Sequence, residues 1–107
     1  MSNHYMEKYT IGIDFGSLSA RAVLMRVSDG VIIASRVYPY PNKVLYDSLP
    51  DGTRLKNSWA LQVPEDYRKA FRVLIPALRQ EAGIAAEQVI GLGIDATSCT
   101  FLPTTMD

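Results

Sequence analysis

Apolar and polar residues follow two periods along this chain. Ile11, Ile13 and Phe15 alternate with Gly12, Asp14 and Gly16, the pattern of a strand with two unlike faces. A second apolar run begins at Ala22 and continues through Val27, which predicts a strand over about Arg21 to Val27. Ser28-Asp29-Gly30 ends it with a turn signal whose glycine accepts positive φ. Val31 to Tyr38, rich in β-branched residues, predicts a third strand antiparallel to the second, giving a three-stranded meander.

From Pro39 to Val63 neither period survives, because Pro39, Pro41 and Pro50 break any ladder and Asp51-Gly52 marks a turn. A connection of this length is expected either to be functional, as a wall of a ligand cleft, or to pack through Tyr38, Tyr40, Tyr46 and Trp59. Pro64-Glu65-Asp66 then opens a helix, with proline in the first turn and acids favouring the dipole. Tyr67, Phe71, Leu74 and Leu78 form one apolar stripe, Arg68, Lys69, Arg72, Arg79 and Gln80 face water, and Gly83 stops the helix after about Ala82. Pro76 predicts a kink or local 3₁₀ turn near Arg72 and Val73. After a turn at Ala85 to Gln88, Val89 to Asp95 reads as a buried parallel strand beside the first, reached by a right-handed crossover, with Gly91 and Gly93 allowing close backbone approach.

Candidate chemistry gathers at two places. Between the first two strands, Gly16, Ser17, Leu18 and Ser19 offer backbone N–H groups, two hydroxyls and little bulk, which suits a loop around a phosphate. Asp14, just before it, can hold a hydrated divalent cation; an acid in so apolar a strand is expected to have a partner. A structural hairpin with a solvated aspartate is the other reading of these residues. The second place is Asp95-Ala96-Thr97-Ser98-Cys99-Thr100, one carboxylate and three hydroxyls at the C-terminal end of a strand, where α/β sheets hold ligands. Such a segment suits a polyol. Cys99 reads as a small buried hydrophobe rather than a nucleophile, since no His or basic cluster is near it in sequence.

Ile-Gly-Ile-Asp-Phe-Gly-Ser-Leu-Ser-Ala-Arg-Ala-Val-Leu resembles the first phosphate-binding motif of the FGGY carbohydrate kinases, in the actin, Hsp70 and sugar-kinase superfamily. The motif, roughly Asp-x-Gly-Thr-x-Ser-x-Arg, falls on Asp14, Gly16, Ser17, Ser19 and Arg21, with Ser17 keeping the hydroxyl where many members have threonine. Phe15-Gly16-Ser17, and Gly-Ile-Asp-x-Thr-x-Cys-Thr followed by Leu-Pro, are similar to the ribulokinase branch. The Arg-Glu pair of glycerol-kinase-like members is replaced by Ser98 and Cys99, which argues against a glycerol site.

The resemblance implies an α/β, ribonuclease-H-like fold, incomplete here: a three-stranded antiparallel meander, a helix and a parallel fourth strand. Residues 1–8 would be a loose leader, with His4 a surface residue, and residues 9–107 the N-terminal part of the first ribonuclease-H-like domain of a longer kinase. It further implies transfer of the ATP γ-phosphate to a ketopentose such as ribulose. Asp14 would hold Mg²⁺ through water, and Gly16, Ser17, Ser19 and Arg21 would serve the phosphates. Asp95, Ala96, Thr97, Ser98, Cys99 and Thr100 would line the sugar pocket. The general base is expected beyond Asp107, so these 107 residues alone are expected to be inactive. Another FGGY kinase, acting on xylulose or another polyol, and a non-enzymatic actin- or Hsp70-like nucleotide-binding module or inactive fragment are the alternatives.

Composition narrows the rest. Eleven Lys plus Arg balance eleven Asp plus Glu, and 48% of residues are hydrophobic, so neither disorder nor a nucleic-acid partner is indicated. A single cysteine excludes an internal disulfide framework, the first residues lack the apolar h-region expected of a signal peptide, no run approaches roughly 20 apolar residues, and a cytoplasmic location is expected. Two other motif matches are accidental. Asp14-Phe15-Gly16 lacks the upstream catalytic loop of protein kinases, and Gly91-Leu-Gly93-Ile-Asp-Ala96 is followed by residues that cannot begin a dinucleotide-binding helix. Val89 to Ile94, uncharged and without proline, is expected to leave a strand edge through which copies of the chain self-associate.

Overall fold

The alternation in the first apolar run becomes two faces of one strand. In β1 (Tyr9–Phe15), Ile11, Ile13 and Phe15 are at most 4% exposed, whereas Asp14 is exposed. The structure, a computed structural model, describes residues 6–96. β1 pairs antiparallel with β2 (Ser19–Arg26), which pairs antiparallel with β3 (Ile32–Pro39). The expected meander is present, its boundaries shifted by one or two residues.

β4 (Val89–Ala96) lies parallel to β1 on its other side, so the sheet order is β3-β2-β1-β4. A single helix, α1 (Pro64–Ala82), and a short 3₁₀ turn at Ala86–Gln88 make the crossover. Glu65 and Asp66 lie in the helix's first turn and meet its dipole. Gly83 closes the other end at φ 67°, a left-handed conformation that a side chain would strain. Its N–H donates to Gln80 O, and the Ile84 N–H to Arg79 O. The helix is α-helical throughout, so of the kink or local 3₁₀ turn expected from Pro76 the 3₁₀ turn is absent. Pro76 and Arg72 are both exposed, so water can serve the Arg72 carbonyl that has lost its helical donor.

The core is one layer between helix and sheet. Ala70, Leu74 and Leu78 from α1 meet Ile11, Ile13, Phe15, Ala20, Ala22, Leu24 and Ala34, with Tyr67 and Phe71 partly buried at its margin. The three small sheet residues let α1 approach β2 and β3 closely. Arg79, expected to face water, is half-buried, with its Nε enclosed and without a hydrogen-bond partner among the described residues.

The parallel strand is not buried. Leu92 and Ile94 sit beside Ile11 and Ile13 in register, hence on the helix side of the sheet, yet with Ile90 they are 50 to 58% exposed. α1 lies over β2 and β3 and leaves this stripe uncovered, and β4 is an edge strand of the sheet. Its glycines are not close-packed: a Cβ at Gly93 would meet nothing within 4 Å, and one at Gly91 only ordinary contact with Thr10.

The long connection folds back on itself through isolated bridges, Leu45 with Leu61 and Ser48 with Arg54. Of its aromatics, only Tyr40 is buried; Tyr46 is 63% and Trp59 48% exposed, so those two do not anchor it as expected. Asp66 does so instead: almost fully buried, its carboxylate accepts the Asn42 N–H at 3.2 Å and the Asn42 Nδ2 at 2.9 Å. Of the segment expected as a leader, residues 1–5, with His4, lie outside the described residues. Met6, Glu7 and Lys8 carry no regular element but are tied down: Lys8 O accepts the Val27 N–H, Glu7 O accepts Gln88 Nε2, and Ser28 Oγ donates to the Glu7 carboxylate.

Leu78 is fully buried and Val73 is 47% exposed on the same helix. In urea unfolding of the intact protein, Leu78→Ala is expected to lower stability by about 2–5 kcal/mol, and Val73→Ala to change it by less than about 0.5 kcal/mol.

Candidate functional site

The turn from β1 to β2 is short because Gly16 permits it. The Gly16 N–H donates to Ser19 O at 2.9 Å, and a Cβ at position 16 would stand only 3.0 Å from that same oxygen. All the carbonyls of the turn are then occupied by the long connection. Gly16 O accepts the Tyr40 hydroxyl at 3.0 Å, Ser17 O accepts Gln62 Nε2 at 2.7 Å, and Leu18 O accepts the Tyr40 backbone N–H at 2.9 Å. The N–H groups of Ser17 and Leu18 have no hydrogen-bond partner among the described residues.

Beneath the turn, Tyr40, Tyr67, Phe15 and Phe71 form a chain of tilted ring contacts with centroids 5.2 to 5.4 Å apart. Tyr67 OH also donates to Gln62 Oε1 at 2.6 Å, which fixes which end of that amide faces Ser17. Burial pushes the Tyr40 phenol well above its ordinary value, and Tyr67 and the negative charges of Asp14 and Asp66 push it further, so it remains a donor.

Strand register assembles the charged groups. Arg21 lies directly across the antiparallel pair from Asp14, and Asp95 lies across the parallel pair from it, at a Cα separation of roughly 4.8 Å for neighbouring strands. All three side chains are exposed, on the face opposite α1, and Ser19 shares that face as the residue two before Arg21. Gly12 and Gly93 leave room between them, and with Asp14, Arg21, Val23 and Asp95 they line an open concavity of about 360 Å³. The partner expected for Asp14 is not found: it makes no side-chain hydrogen bond or ion pair among the described residues, because alternation puts it on the uncovered face. Asp95 accepts the Ala96 N–H at 2.9 Å.

The sequence-predicted residues Asp14, Gly16, Ser17, Ser19, Arg21, Asp95 and Ala96 thus meet at the C-terminal ends of β1 and β4. Thr97, Ser98, Cys99 and Thr100 lie outside the described residues. Among the described residues no three His, Cys, Asp or Glu side chains cluster to hold a metal directly. The oxygen donors Asp14 and Asp95, solvated and adjacent, suit a hard cation that keeps its water. Sequence reading missed that Tyr40 and Gln62 bond the turn and that Tyr67 bonds Gln62. Their positions relative to the turn depend on a fold-back that no periodicity announces.

No protein-family model matches the chain. Among curated proteins it is similar to the ribulokinase of Shouchella clausii, 48% identical over 99 residues, and to that of Halalkalibacterium halodurans, 45% identical over 97 residues. These matches take in 92% and 90% of this chain but only 18% and 17% of the relatives, so the chain spans less than a fifth of their length. Among solved structures it is similar to the gluconate kinase of Lactobacillus acidophilus, with a TM-score of 0.65 at 23% identity, over 85% of this chain and 16% of that one. The fold shared with that structure is the incomplete α/β arrangement that the motif implied, an antiparallel three-stranded meander, a helix and a parallel fourth strand.

The Tyr40 shift has a stability consequence. An acid whose folded-state pKa lies above its unfolded value favours folding below the unfolded pKa, and that contribution disappears as pH rises from about 10 toward the folded value. Stability measured by denaturant titration is expected to fall across this alkaline range, and Tyr40→Phe is expected to remove that part of the slope.

Proposed function

We propose that the chain is the N-terminal segment of a ribulokinase-like FGGY carbohydrate kinase, and that the whole protein transfers the γ-phosphoryl group of ATP to a hydroxyl of a ketopentose, ribulose being the sugar the relatives' name favours. The observation that carries this reading is the turn itself: N–H groups at Ser17 and Leu18 without partners among the described residues, beside the carboxylate of Asp14, likewise without a partner among them, at the C-terminal end of β1.

In this reading Gly16, Ser17 and Ser19 bind phosphate oxygens through N–H and hydroxyl donors. Arg21, across the pair from Asp14, orders the hairpin or approaches the phosphates. Asp14 holds Mg²⁺ through water, which supplies neutralisation of the phosphate charge. Catalysis of this type is mostly positioning and electrostatics, with little covalent chemistry for the protein. Asp95, Ala96, Thr97, Ser98, Cys99 and Thr100 line the sugar pocket. In this reading the two ligands lie side by side over the open face that Asp14 and Asp95 share, which the pairing of Asp14 with Asp95 across β1 and β4 supports. The base that deprotonates the sugar hydroxyl is not among the residues assigned here, and the isolated chain is proposed to be inactive. A cytoplasmic location goes with this reading; among the described residues no helix is long and apolar enough to cross a membrane.

In the full-length enzyme, Asp14→Ala is expected to lower kcat/KM by several kcal/mol of transition-state stabilisation, roughly 10²-fold or more, with the thermal midpoint unchanged. The same coupled assay should favour ribulose over xylulose and glycerol. Near-normal turnover of Asp14→Ala would overturn the site assignment, and a preference for glycerol would overturn the ribulokinase reading while leaving phosphoryl transfer standing.

We further propose that the isolated chain self-associates through β4, an edge strand whose Ile90, Leu92 and Ile94 are half exposed. Sedimentation over a concentration series is expected to show association that Leu92→Lys reduces; a monomer at high concentration would refute it.

A further inference from the structure

Three consecutive carbonyls of an exposed turn have no need of protein partners, since water can satisfy each of them. Here all three are taken by a segment distant in sequence. Tyr40 is 24 residues from Gly16, and Gln62 is 45 from Ser17. The consequence lies in the peptide plane. Among the described residues no peptide is cis, so each N–H points opposite to the carbonyl of its own peptide unit. Fixing the carbonyls of Gly16, Ser17 and Leu18 toward the connection therefore aims the N–H groups of Ser17, Leu18 and Ser19 to the other side.

We infer that Tyr40 and Gln62 are positioning residues for phosphate binding: they hold the β1–β2 turn from behind so that its successive N–H groups converge before a phosphoryl group arrives. This rests on the phosphate-binding reading of the turn. Neither residue touches the ligand in this arrangement; each acts through a carbonyl. Tyr67 acts one step further back, orienting the Gln62 amide by donating to Oε1 while Nε2 donates to Ser17 O. The aromatic contacts of Tyr40 and Tyr67 with each other, and of Tyr67 with Phe15, seat this strut on the core, so the turn inherits the rigidity of α1. Donors fixed in advance need no reorganisation as charge shifts between phosphate oxygens, which is why such a strut affects rate as well as affinity.

The test uses the full-length enzyme. Tyr40→Phe keeps the ring and removes the donor to Gly16 O. Gln62→Glu keeps the acceptor for Tyr67 and replaces the donor to Ser17 O with a repelling oxygen. Each is expected to raise the KM for MgATP and lower kcat by roughly five- to tenfold, with Gln62→Glu the worse, while the KM for the sugar and the thermal midpoint stay nearly constant. Tyr67→Phe should give a smaller change in the same direction. If the sugar KM moves as much as the nucleotide KM, or activity falls only in step with thermal stability, the residues are merely structural and the inference is overturned. If both variants keep wild-type MgATP kinetics while Asp14→Ala abolishes turnover, the strut fails and the site stands. Turnover retained by Asp14→Ala removes the site, and the strut's role with it.

Discussion

A strand has only two faces, and in β1 they are given opposite tasks. Ile11, Ile13 and Phe15 hold the sheet to α1, and Gly12 and Asp14 look the other way into open space. A slip of one residue in the pairing with β2 would bury Asp14 against Leu74 and Leu78 and expose three large apolar side chains, so register is held by the hydrophobic effect. Because β1 is flanked by β2 on one side and β4 on the other, that single constraint also sets the row in which Arg21, Asp14 and Asp95 stand together. The charged groups need no force of their own to meet; the core on the opposite face positions them.

The turn that follows β1 receives its order from a different source. The connection between β3 and α1 has almost no regular structure, yet its two ends are firmly placed, Tyr40 and Asn42 at one and Gln62 at the other. Asp66 has a double role here. It sits in the first turn of α1, where its charge meets the helix dipole, and it holds Asn42, which keeps Tyr40 under the turn. The middle of the connection, with Tyr46 and Trp59 exposed and Lys56 lying 5.8 Å over the Trp59 ring, is free of these duties.

β4 shows what one helix can and cannot cover. α1 spans β2 and β3, whose Ala20, Ala22 and Ala34 let it sit close, and its width is exhausted before it reaches the strand on the far side of β1. The apolar residues of β4 on the helix side therefore remain half exposed although the strand is as hydrophobic as a buried one.

The sequence by itself determined the elements, their order and the place of the turn between β1 and β2. Periods of 2 and 3.6, Pro64 and Gly83 at the helix ends, and the Asp14 to Arg21 motif are all local signals, and each is found where expected. What it could not decide was anything that depends on which elements touch. A run such as Val89 to Asp95 reads as buried because strand composition records hydrophobicity, whereas burial depends on whether a helix reaches that far. Asp14 seemed to need a partner for the same reason: the motif gives the residue, but only packing tells that its face is open. The contacts of Tyr40 and Gln62 with the turn were illegible, since a loop aromatic and a half-buried amide carry no period and no motif. Their meaning comes from a hydrogen bond across 24 residues and another across 45, and such long-range contacts exist only once α1 has docked on the sheet and fixed both ends of the connection.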